Sequence, residues 1–485
     1  MNELEKSTFA RRVAFGIAPD ESVPKDAVAW AEAQLDSVPV VALHADRAGA
    51  MVTGLPPTLR LVDTPEDAAA AVGQFGDDLK DVSRASRRLQ RPELEALYIE
   101  KIVPHIYFTA WKETFARGCM AVNGPAPVFE RFWHFWANHF TVAPSVNNNS
   151  APAVGPFMRM LRTHMGGNFR DMLFAAVTHP GMTLYLDNDR STGPNSAWRR
   201  SNRTKDEINE NLGRELLELF TITTASGYSQ ADVLAVTYIL TGWSVELSGF
   251  NKGIYFNYGR HEPSAQTFMG KTYKALMRQD SKLHELVDDL AAHPLTAQHI
   301  CRKIATAFVS ENPAPDCVAR LVSVFTSSKG SLPALHKAVV REVATAGKNY
   351  QRFSDPQTWL WTAYRISGAQ LPAEPPKAGM SAERLPTTLT ELGQPIHNCP
   401  QPNGWSLQSR DWISREMLDR RVRYAYNLGS RIPNAAQLLP ALLARQHDAK
   451  GPLVQQLTAA IAKGNSMDDL WTMYFNSPEF LWSNA

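Results

Sequence analysis

Cysteine is scarce in this sequence. There are four in 485 residues (Cys119, Cys301, Cys317 and Cys399), and no Cys-x-x-Cys pair. That spacing excludes a zinc knuckle or a thioredoxin-like redox motif. Cys301 and Cys317 could pair in an oxidising compartment, but the reading adopted is four free, buried thiols. Long apolar runs are missing too, and no window approaches the roughly 20 apolar residues of a membrane span. The opening Met1-Asn2-Glu3-Leu4-Glu5-Lys6-Ser7 is charged and leads into no apolar stretch, unlike a secretory signal. The expected compartment is therefore cytoplasmic. A chain shorn of a leader would read the same and would be periplasmic or secreted. Excess charge of one sign is also lacking: 50 basic against 48 acidic residues give a formal net charge of +2. This balance gives no electrostatic case for nucleic acid as a partner. Local runs such as Arg84-Ala85-Ser86-Arg87-Arg88 and Arg199-Arg200-Ser201-Asn202-Arg203 read as solvated faces. There is no His-Glu-x-x-His, no Gly-x-x-x-x-Gly-Lys-Ser/Thr, no Gly-x-Ser-x-Gly and no convincing Gly-x-Gly-x-x-Gly. Zincin, P-loop, nucleophile-elbow and dinucleotide-binding readings are thereby disfavoured.

What is present is helical periodicity, in a chain 44% hydrophobic and 20% charged, the balance of a globular protein. The expected fold class is mainly α-helical: one large helical domain with a small β-hairpin insertion at about residues 244–273. Three regions are expected. Residues 1–122 form an N-terminal helical region. Residues 123–350 form a central helical core bearing the motifs. Residues 351–485 add a Pro-rich excursion, with six prolines between 366 and 400, and helices packing on the core. Thr204-Lys205-Asp206-Glu207 reads as a capping box before an apolar-periodic helix from Ile208 to Ile222, and Ser229 as the cap of the next helix. No period of 20 to 50 residues marks a solenoid.

Seven of the ten residues from Arg131 to Phe140 are aromatic or histidine. So much ring area belongs in a core. At 100° per residue, His139 falls with Phe132 and Trp136, and His134 near the opposite side. His139 is therefore expected inward and His134 outward. On the wheel of residues 208–222, Ile208, Leu212, Leu216 and Leu219 define an apolar face, with Glu215 roughly 50° from its centre. Asn211 and Glu218 lie beside Glu215 on one flank. Two nearby carboxylates suit a divalent cation or an acid/base pair with split pKa values. An inward glutamate held by arginine is the structural alternative. Asp187, Asn188 and Asp189 cluster oxygen donors without the spacing of a calcium loop, and turn-forming residues explain them equally. His261, next to the hairpin, is a further candidate.

These segments together resemble the DUF1800 family, whose description is a domain of unknown function. The matching pieces are Phe9 to Gly16, Phe135-Trp-Ala-Asn-His-Phe140, Gly167 to Asp171, His179-Pro180 through Asn188, and Asn209-Glu-Asn-Leu-Gly-Arg-Glu-Leu-Leu-Glu-Leu219. They continue with Gly227 to Asp232, Leu240-Thr-Gly-Trp243, His261 with Thr267 to Gly270, His293 to Ala297, and Pro402-Asn-Gly-Trp405. Phe220 stands where some members have histidine. The resemblance implies an envelope or extracellular-polymer role and a sulfatase-like protein of unknown function as a partner.

The leading expectation is a hydrolytic or metal-assisted enzyme acting on a polymer or glycan. Its catalytic residues would be His139, Glu215 and Glu218. Substrate would be held by Asn138, Asp187, Asn188, Asn211, Trp243 and His261. Any divalent metal ion would draw its ligands from His139, Glu215, Glu218 and His261. The alternative is a non-catalytic helical binding or assembly protein whose polar cluster is a buried network. The twelve tryptophans also permit a carbohydrate-stacking platform.

Overall fold

The structure, a computed structural model, describes residues 1–40, 65–102, 105, 109–144, 150–201, 208–246, 253–274, 280–346, 352–372, 385–396 and 398–482. The described chain is mainly helical with two short antiparallel hairpins, as the periodicity requires. None of its helices is long and apolar enough to cross a membrane. The expected capping box at 204–207 and part of the Pro-rich excursion lie outside the described residues.

Local chemistry explains most helix boundaries. Asn168 caps Phe169–Thr178 through a side-chain bond from the Asp171 amide, and Ser229 with Asp232 forms a capping box on Gln230–Leu240. The aromatic helix runs Pro127–His139, with proline at its first position, where a missing N–H costs nothing. The strand region holds two hairpins rather than one. In the first, Trp243–Glu246 pairs with Gly253–Phe256. In the second, Gln266–Phe268 pairs with Lys271–Tyr273. Met269 and Gly270 both take positive φ between the second pair of strands, as a two-residue hairpin turn needs.

The helix expected over 208–222 is shorter, Asn211–Glu218. Beyond it, the N–H groups of Leu219 and Phe220 share the Glu215 carbonyl and Thr223 reaches back to Leu217, so the chain leaves the helix before Ile222. The long polar stretch after Asp187 is not structureless. A 3₁₀ turn at Asn188–Arg190 and a short helix at Ala197–Ser201 break it up.

Apolar side chains gather into two large cores. The first takes most of its residues from Ala126 to Val343, together with Phe9, Val13 and Leu35. The second joins Phe15 and Phe115–Val122 to residues from Phe353 onward. The aromatic helix lies between them, and eleven of its thirteen residues are buried. Across the gap stands Pro356–Ser367, a helix buried at every position and capped by Asp355. All four cysteines are free and buried.

Candidate functional site

The aromatic helix presents two chemically different faces. Phe132 stacks on Phe308 at 4.3 Å and on His336 at 4.4 Å, and the Trp136 indole donates to His336 Nε2 at 2.9 Å. His139 sits on this side, wholly buried among Trp136, Phe140 and Phe220. Lys303 Nζ lies 3.0 Å from its Nδ1. Burial, then the charge of Lys303, holds the His139 pKa well below the ordinary value. Burial also brings Lys303 down to about 8, still cationic at neutral pH, so Lys303 donates and Nδ1 accepts. The His139 proton therefore sits on Nε2, which is buried and turned to the Phe220 backbone without a well-formed hydrogen bond.

The other face carries Arg131, His134, Phe135 and Asn138, spaced i, i+3, i+4 and i+7. His134 is not outward in the sense of solvated. Only 4% of it is exposed, because the helix is covered on this side by the second core, where Phe15 meets the imidazole at 5.2 Å. This face borders a small cleft of about 60 Å³ between the aromatic helix and the start of Pro356–Ser367. Arg117, from helix Thr109–Val122, and Arg352, Asp355, Gln357, Gln394 and Trp405 line it too.

The hydrogen bonds in this cleft fix one another. Arg117 Nη1 donates to Gln357 Oε1 at 3.0 Å, and a guanidinium can only donate. The Gln357 amide nitrogen therefore turns to His134 Nδ1, 3.2 Å away, which must accept. That leaves the His134 proton on Nε2, without a partner. Burial, then Arg117 and Arg131, holds this imidazole neutral, its pKa well below the ordinary value. Arg117 lies 4.9 Å over the Trp133 ring, and burial lowers its pKa to about 10, so it stays charged at neutral pH. Burial alone would raise the Asp355 pKa. The charges of Arg131 and Arg352 and bonds from Thr358 outweigh that and hold it below its ordinary value.

Asn138 has a positional role beside this cleft. Its amide donates to the Trp405 carbonyl at 2.9 Å and accepts from the Trp405 N–H at 2.7 Å. Gly404 passes so close, at φ +79°, that a Cβ there would sit 2.1 Å from the Asn138 carbonyl oxygen. Two motifs far apart in sequence, Asn138-His139 and Asn403-Gly404-Trp405, are thus one clamp.

The carboxylate helix Asn211–Glu218 is a separate locus. Glu215 is half-buried, and burial, then Glu218, raises its pKa. Arg214 reaches Glu210 at 2.8 Å and Glu218 at 3.5 Å, i,i+4 pairs that leave Glu215 without an arginine ion pair among the described residues. Asn211 is exposed at the helix start.

The remaining candidates gather at the end of helix Gln230–Leu240. Asn188 donates to the carbonyls of Leu240 and Trp243, both at 3.2 Å, and His261 Nδ1 donates to the Thr241 carbonyl at 2.6 Å. Burial lowers the His261 pKa to about 4. Trp243 packs edge-on against Phe174 and Phe256. Asp187 takes a left-handed conformation, φ 54°, in the turn before Asn188. These side chains tie the hairpin to the helix end.

The predicted residues therefore fall into three places. Among the described residues no three His, Cys, Asp or Glu side chains converge as a metal site would require, and His139, Glu215, Glu218 and His261 form no common ligand set. Arg117, Arg131, Arg352 and Gln357 were not anticipated. The polar i, i+3, i+7 stripe on an otherwise apolar helix was the available signal for Arg131 and His134.

A family model described as protein of unknown function (DUF1800) matches residues 8–482. No curated protein and no solved structure matches the chain.

Proposed function

The chain belongs to the DUF1800 family, whose description names no reaction, and we propose that it binds a polar polymer, most simply a glycan, in the cleft beside His134. The observation that carries this reading is the lining. Polar side chains and the rings of Phe135 and Trp405 share one cleft whose rim, at Arg131, Asn138, Ile396 and Trp405, is only half-buried. A cleft this small, with an aromatic wall and a few placed polar groups, suits one substituent of a repeating unit rather than a whole sugar ring. The Asn138–Trp405 clamp holds the ring wall at a fixed distance from the helix.

The test is affinity electrophoresis of the full chain against neutral and acidic glycans. Ile396→Trp places bulk at the rim. The reading expects retardation by at least one glycan, abolished in Ile396→Trp with an unchanged Tm. Undiminished retardation in that variant sinks it.

A second reading keeps the enzyme expectation. Its support is Glu215, a half-buried carboxyl with raised pKa next to Glu218, which is the asymmetry an acid/base pair needs.

A further inference from the structure

We infer that the cleft beside His134 is an oxyanion site, so that the group it holds on its ligand is a sulfate, phosphate or carboxylate. This deepens the polymer reading and rests on it only for what the anion is attached to.

The inference starts from unsatisfied atoms. A buried polar atom without a partner is costly, and native structures keep few of them. Arg117 Nε, His134 Nε2 and Trp405 Nε1 are buried, line the same cleft and make no hydrogen bond. All three are donors. For Arg117 and Trp405 this follows from their chemistry, and for His134 from the chain of bonds that begins at Arg117 and passes through Gln357. What they lack is an acceptor. A neutral hydroxyl could serve one of them, but an oxyanion offers acceptors in several directions.

Charge points the same way. Three arginines line the cleft, Arg117, Arg131 and Arg352, with Asp355 as the one carboxylate among its lining residues. Asp355 caps Pro356–Ser367 through the Thr358 amide at 3.0 Å and hydroxyl at 2.7 Å, and it faces Arg352 at 3.7 Å and the charge of Arg131, so it offsets part of that charge but does not pair with Arg117. The charges of Glu113 and Glu130 also act on Arg117, but these carboxylates pair with Arg159 and Arg162, and one Glu113 oxygen stays buried without a hydrogen bond. Bonds from a guanidinium to an oxyanion are charge-assisted and about twice as strong as neutral ones. Burial strengthens them further, because less solvent screens them.

The test uses the full chain at low salt with three probes: sodium sulfate, dextran and dextran sulfate. Calorimetry should show sulfate binding. It should also show dextran sulfate binding at least about tenfold more tightly than dextran, the lower end of what one hydrogen bond to a charged group contributes. Arg117→Gln should weaken both anionic probes by a similar factor, and clearly more than it weakens dextran. Arg423→Gln, an exposed arginine paired with Asp419, controls for general attraction of polyanions and should change neither. Should Arg117→Gln fail to fold, the wild-type Tm decides: millimolar sulfate should raise it over chloride at equal ionic strength and then saturate, whereas general exclusion of sulfate acts only at far higher concentration and without a plateau.

Equal binding of dextran and dextran sulfate, or an Arg117→Gln effect no larger than that of Arg423→Gln, overturns the oxyanion site. So does a Tm that sulfate leaves unmoved. The polymer reading fails separately, when sulfate binds and is lost in Arg117→Gln but no polymer binds more tightly than the free ion.

Discussion

The two faces of the aromatic helix carry the same residue type in opposite circumstances. His139 and His134 are both buried, both neutral, and both hold their proton on Nε2, which meets the Phe220 backbone in His139 and no partner in His134. Around His139 the neighbours are rings, with a single lysine on the far nitrogen. Around His134 there is a cleft, an amide that fixes the tautomer, and arginines. The difference shows that burial of a histidine does not by itself mark a site. What distinguishes His134 is that it lines a cleft together with other residues that carry buried, unpartnered donors.

The largest effect that separates the faces should come from Trp136→Ala. Trp136 is wholly buried and its indole donates to His336. Its removal should cost about 3–5 kcal/mol, typical of a buried large aromatic, through the cavity and the lost ring contacts. A chemical denaturation midpoint should show it. A loss below 1 kcal/mol would mean that the dry face is not a packed core, and the contrast with the cleft would collapse.

A smaller effect shared by both faces should appear in acid. Each histidine has a folded pKa below the unfolded value near 6.5, so between the two only the unfolded chain binds the proton. Stability is therefore present above about pH 6.5 and lost as pH falls below it, by about 1.4 kcal/mol per pH unit for each such histidine. Tm measured from pH 7.5 to 5 should be flat and then fall steeply below 6.5. Replacing either histidine by glutamine should shallow the fall by one proton's worth. An acid limb unchanged in both variants would contradict the neutral assignments.

Much of the fold was legible because it rests on local rules. Periodicity and the Ser229 cap act within one or two turns of chain, and they place helices correctly. The wheel likewise separated His139 from His134. It could not tell what covered the second face, because Phe15 and Gln357 lie more than a hundred residues away on either side. The same limit hid Arg117 and Arg352, whose convergence on the cleft depends on how three segments pack. The Asn138–Trp405 clamp, between positions 267 residues apart, was visible only as two unconnected motifs. Helix length also depended on context, and the apolar periodicity of 208–222 continues past the point where the backbone turns away at Leu219.

The smallest effect belongs to the carboxylate helix, which stands outside the comparison and so sharpens it. Glu215 has a folded pKa raised above its unfolded value, chiefly by burial and then by Glu218. Its contribution to stability is present below the unfolded pKa, near 4.3, and is lost as pH rises through the folded one. At neutral pH the ionised side chain is therefore mildly unfavourable, and Glu215→Gln should stabilise the chain by a few tenths of a kcal/mol, within the ordinary range for substitutions away from the core. At pH 4 the gain should vanish. If the acid/base reading holds, the same variant abolishes turnover of the bound polymer while its Tm is unchanged or slightly higher. If instead Tm falls by several degrees at pH 7, Glu215 is a structural partner, and the cleft beside His134 keeps the stronger claim to function.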